Sequence, residues 1–168
     1  MSRSELLTRG TVWLALCGYA AGVCMWNLGR PRSAWHNRAR SAWTAGCLLF
    51  LAHVVCAFTF YHHWSHADAY EATARRTASI VGFRSGAGLL LNYLFALAWT
   101  FDVTWWWSSP RTFEQRPRLY SRLLHGYLFF MVVNGAVIFA GSGLQWLGLV
   151  LTFIVAWSWW RRPAGLTE

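Results

Sequence analysis

His62, His63 and His66 stand together in the stretch FYHHWSHADAYEATARRT, residues 60–77, with Asp68 and Glu71 directly behind them. Neutral imidazole suits zinc, copper, iron or nickel, and two imidazoles three or four residues apart on a helix can reach one ion. On that spacing His62, His63 and His66 form a candidate metal-ligand set. Asp68 and Glu71 would add an oxygen ligand or accept the second N–H of an imidazole. Two other readings compete. The same letters suit a polar helix at a membrane interface with no ligand, and histidine titrates close enough to neutral pH to act as a proton sensor.

Further polar residues lie inside apolar runs. His53 is eight residues from the end of its run, about 12 Å of helix. At that depth it should face protein or a cavity, as an axial haem ligand or as a hydrogen-bonded core histidine. A bis-histidine haem needs a second histidine at the same depth, and His125 falls near the opposite end of its own run. Asp102 and His125 reach one level if the runs that carry them form a hairpin. An acidic residue inside a span is costly unless paired, so Asp102 and His125 are expected as a buried ion pair, with Arg122 as a competing partner. The same register sets Asn92 opposite Asn134, an interhelical hydrogen bond of the kind that holds spans together. Placed end to end, these groups make a discontinuous polar track.

The elements that would position them are five apolar runs, at about 11–28, 41–61, 87–107, 123–140 and 144–160. Each approaches the roughly 20 residues that span a bilayer. The chain is 56% hydrophobic and only 12% charged, half the charge of an ordinary soluble domain. The expected fold is therefore all-α: a single polytopic integral membrane helical bundle of about five transmembrane helices. Residues 62–82, free of Gly and Pro before Gly82, predict an external polar helix after the second span, either continuing that span past the membrane or bending to lie on its surface. Gly-Ser-Gly at 141–143 predicts a tight turn between the last two. The first run resembles a cleaved signal peptide in following Arg3 and Arg9, but its length and tryptophans favour a retained helix. CGYAAG in run one and GAVIFAG in run four read as small-residue packing faces.

All 15 basic residues are arginine, and the net charge of +9 lies between apolar runs, where it sets membrane orientation rather than nucleic-acid binding. Ten arginines fall in the segments after runs one, three and five, and five fall on the other side. The N-terminus is thus expected outside and the C-terminus in the cytoplasm, in a multi-pass inner (plasma) membrane protein. Cys17, Cys24, Cys47 and Cys56 all lie inside apolar runs, without a CxxC motif, and read as packing residues. No nucleotide-binding loop, Ser-His-Asp order or HExxH motif is present.

These features lead to a membrane metal- or haem-binding protein with its histidine cluster at the outer face, serving redox or metal handling. The competing classes are a non-catalytic accessory or scaffold subunit and a small transporter using the polar track. The implied cofactor is a transition metal or haem. The implied partners are the lipid bilayer and other membrane subunits, and no nucleic acid.

Overall fold

A computed structural model describes residues 2–29, 33–140 and 145–161, and every regular element among them is helical. α1 (Arg3–Leu28) starts two turns before the apolar run. Ser2 caps it by accepting a hydrogen bond from the Glu5 N–H at 3.2 Å, and Glu5 pairs with Arg9 one turn on. α2 (Ser33–Tyr61) also begins before its run, because residues 33–45 contain neither Gly nor Pro to stop a helix. α1, α2 and the stretch Arg118–Ile138 are long and apolar enough to cross a membrane. The turn foreseen at 141–143, and Arg30, Arg32 and Arg162, lie outside the described residues.

The chain reverses after Tyr61. His63 and Trp64 adopt left-handed backbone with φ of 46° and 60°, and Trp64 N–H reaches back to the Phe58 carbonyl. α3 (His66–Val81) then begins afresh, capped by Ser65 accepting from the Asp68 N–H, and stops at Gly82 with φ 86°. Only glycine takes that C-terminal conformation without strain. The external helix is thus present but shorter than 62–82, and it is separate from α2.

α4 (Gly88–Ser108) follows, then one short turn of helix, α5 (Pro110–Glu114), which the sequence reading did not foresee. α6 (Arg118–Val133) passes into a π-helical segment, Asn134–Ile138, and α7 (Gln145–Trp160) is the last element among the described residues.

α1 and α2 form the closest pair. A Cβ on Gly18 would lie 2.6 Å from the Gly46 Cα, and one on Gly46 would lie 2.9 Å from the Tyr19 nitrogen. The two backbones therefore touch through glycine, as the small-residue face of run one predicts. The matching face of run four works through Ala136, which a Cβ on Gly148 would overlap, while Gly135 has open space beside it. Across this pair lies the centre of the core. The rings of Tyr19, Trp43 and Trp99 make three mutual contacts at 5.2–5.8 Å between centroids, and none is more than 2% exposed. Aromatic packing of this kind adds about 1 kcal/mol per pair beyond the area it buries.

Candidate functional site

Two cavities flank that aromatic layer. The first, about 730 Å³, is walled by Leu16 of α1, Phe50 and His53 of α2, Asn92 and Trp99 of α4, and Met131 of α6. The second, about 660 Å³, is walled by Asn27 of α1, Trp43 of α2, Asp102 of α4, and Arg116, Arg122 and His125 around the start of α6. They lie toward opposite ends of the bundle: on α1 the first reaches no further than Leu16, and the second begins at Gly22. Six residues of helix are about 9 Å, and within that depth sits Tyr19.

The second cavity, the Asp102 cleft, is organised around one buried carboxylate. Asp102 is 1% exposed. Its Oδ1 accepts from Arg116 Nη1 at 2.6 Å, and its Oδ2 accepts from the Trp43 indole Nε1–H at 3.0 Å. The other arm of the guanidinium, Nη2, donates to His125 Nε2 at 3.2 Å. Because arginine only donates, His125 accepts at Nε2, and the neutral ring carries its proton on Nδ1. Phe113 supports the guanidinium from below at 3.9 Å, and Trp106 stacks on Phe113 at 4.5 Å. Pro110 starts α5 and so folds residues 110–116 back beneath α4, bringing Arg116 to Asp102.

The first cavity, the His53 cavity, is mostly apolar. His53 Nδ1 lies 2.8 Å from the carbonyl oxygen of Thr8 on α1. A carbonyl can only accept, so Nδ1 carries the proton and Nε2 of the neutral ring is a bare acceptor. The Trp99 ring also walls this cavity, and the indole Nε1 of Trp99 and the hydroxyl of Tyr19 are buried without a hydrogen-bond partner among the described residues. Such atoms are few in folded proteins, and each calls for an explanation.

The residues foreseen from the sequence fall as follows. His62, His63 and His66 do not share a helix, since the reversal at 62–65 separates them and removes the spacing on which a shared ion depended. His66 Nδ1 instead meets the Tyr93 hydroxyl at 2.7 Å. Glu71 forms ion pairs with Arg75 and Arg84, both at its Oε1. Asp68 stands in the first turn of α3 and borders a shallow pocket with His62 and Glu71. Partial burial lowers the His62 pKa from its ordinary value, with Asp68 opposing and His63 adding to the shift. Among the described residues no group of three or more His, Cys, Asp or Glu side chains is placed to hold a metal ion.

Asp102 and His125 do reach one cluster, but Arg116 stands between them, and Arg122 borders the cleft without being the carboxylate's partner. Asn92 and Asn134 are not bonded to each other. Asn134 donates to the Phe130 carbonyl of its own helix, and Asn92 faces the His53 cavity. Arg116 and Trp43 were missed because they read as a loop charge and an interface aromatic. The signal that could have found them is the unmet demand of Asp102 for partners. Comparison with protein-family models, with curated proteins and with solved structures returned no match, so the functional reading rests on this geometry.

Proposed function

We propose that this chain is a five-span membrane bundle that relays protons between two half-cavities. α4, at 21 residues, and α7, at 16, serve as the two spans beyond the three of membrane length. The N-terminus lies outside and the C-terminus in the cytoplasm, so the His53 cavity faces out and the Asp102 cleft faces in. The observation that carries the reading is the pair of cavities meeting at one aromatic layer, with the Tyr19 hydroxyl and Trp99 N–H buried unpartnered there among the described residues. A tyrosine hydroxyl both donates and accepts, so Tyr19 can hand a proton between waters on its two sides. His53 and His125 are titratable groups on either side of the layer, as membrane proton relays use.

The test is dye-reported proton flux into liposomes under a potassium diffusion potential. Wild-type protein should exceed protein-free vesicles, and Tyr19→Phe, which deletes one oxygen from the layer, should reduce the flux several-fold. Wild-type flux no greater than that of empty vesicles would discard the relay. The scaffold reading is favoured by a different observation: each oxygen of Asp102 accepts a hydrogen bond, one from Arg116 and one from Trp43 on α2, as in a helix clamp. It predicts a non-conducting protein that co-purifies with membrane subunits. Metal handling at His62, His63 and His66 predicts stoichiometric metal in the purified protein, lost in a His62/His66 double alanine variant.

A further inference from the structure

The His53 cavity has the composition of a site for a flat, lipid-soluble molecule. One wall is a run of rings: Phe50 to Phe95 at 4.7 Å, Phe95 to Trp99 at 5.5 Å, and Phe50 to His53 at 6.2 Å between centroids. Apolar pockets with a few fixed polar groups are the usual form of small-molecule sites. Two such groups, of opposite sense, belong to the residues of the ring wall. The Trp99 Nε1–H is a donor buried at 1% exposure with no partner among the described residues. His53 Nε2 is an acceptor whose tautomer is fixed by the bond from Nδ1–H to the Thr8 carbonyl.

We propose that this cavity binds a lipid-soluble quinol: a flat ring lying on the Phe50–Phe95–Trp99 wall, one hydroxyl oxygen accepting from Trp99 Nε1–H, the other hydroxyl donating to His53 Nε2. The reduced form is favoured over the quinone because the quinone has no O–H to give the imidazole. The π-helical segment contributes Gly135 and Ala136 to the same cavity, and Phe139, the residue after it, adds a ring. Such one-residue expansions of a helix recur at functional sites. Haem fits less well. The cavity's arginine, Arg9, is 58% exposed at its side chain and paired with Glu5, so two propionates would find no buried cation. A retinal-type Schiff base is excluded by the absence of lysine. The proposal rests on the membrane-bundle reading but not on the relay. Quinol binding without proton flux would retain this site and discard the relay; flux without quinol binding would do the reverse.

The experiment is titration of the full chain in lipid nanodiscs with a decyl-substituted benzoquinol, kept reduced by ascorbate, and with its quinone. Protein-free nanodiscs correct for partitioning. Saturable binding of one quinol per chain is expected, tighter than that of the quinone. His53→Leu should weaken it about tenfold, the effect of leaving one buried hydrogen bond unmade. Trp99→Phe, which keeps a ring and removes the N–H, should weaken it similarly, and decides the matter alone if His53→Leu does not fold. Uptake no greater than that of empty discs would overturn the proposal. So would binding unchanged by both substitutions, or a Soret band in the purified protein that His53→Leu abolishes.

Discussion

Asp102 illustrates what one charge demands inside an apolar bundle. Its carboxylate is held by a guanidinium and an indole N–H drawn from two different parts of the chain. Desolvating such a pair is expensive, and removing one partner leaves the other charge uncompensated. Arg116→Leu should therefore destabilise the protein by about 3–5 kcal/mol, read as a lowered thermal unfolding midpoint in detergent. The double variant Asp102→Asn with Arg116→Leu should lose less than Arg116→Leu alone, because no orphan charge remains. Equal loss in both would mean that the carboxylate left without its guanidinium carries no penalty. That Asp102 needed a partner was legible in the sequence, since an acid in a span is seldom left bare. The identity of the partner was not, because it depends on the three-dimensional return of residues 110–116 beneath α4. His125 illustrates the same limit: its depth could be read from the sequence, while the guanidinium between it and Asp102 could not.

The helices themselves were legible to within a turn or two wherever a physical stop signal stood in the sequence. Gly82 ends α3 as foreseen, and α4 runs from Gly88 to Ser108 against an expectation of 87–107. The misreading came at residues 62–65, where no Gly or Pro announces a break and two non-glycine residues take positive φ. Propensity favours helix there, and the reversal is fixed by tertiary packing instead: Phe58 meets the rings of Trp64, His66 and Tyr93. That packing scatters the histidines a continuous helix would have aligned. The α1–α2 contact, by contrast, was readable from small residues. Gly46→Leu should disrupt it, because the backbone of α1 and the ring of Trp99 leave no room for a side chain. A loss of about 3 kcal/mol is expected for overpacking of this severity. Gly126→Ala, where a Cβ meets nothing within 4 Å, serves as the control and should change stability by less than about 1 kcal/mol. Thermal unfolding of the two variants side by side checks both, and similar midpoints would show that the glycine contact is not what joins the helices.

At the scale of the whole molecule the remaining step is orientation, because the same two cavities have opposite meanings if the bundle is inverted. Arginine placement argues for the Asp102 end being cytoplasmic. Several of those arginines are built into that end: Arg40 lies over the Trp107 ring at 3.9 Å, and Trp107 in turn donates to Thr44 at 2.9 Å. A cation stacked on an interfacial indole suits the boundary between lipid and headgroup, where both residue types are enriched. Arg75 and Arg84 at the other end share Glu71, yet acidic residues contribute little to topology, so pairing does not alter the comparison. Ala67 and Ser108 are exposed near opposite ends of the bundle. In a background with Cys17, Cys24, Cys47 and Cys56 replaced by alanine, Ala67→Cys should react with a membrane-impermeant maleimide in intact cells. Ser108→Cys should react only after permeabilisation. The reverse pattern would invert the bundle and make the His53 cavity the inner one. Labelling of both from one side would mean that α4 does not cross the bilayer, and with it the five-span arrangement would fall.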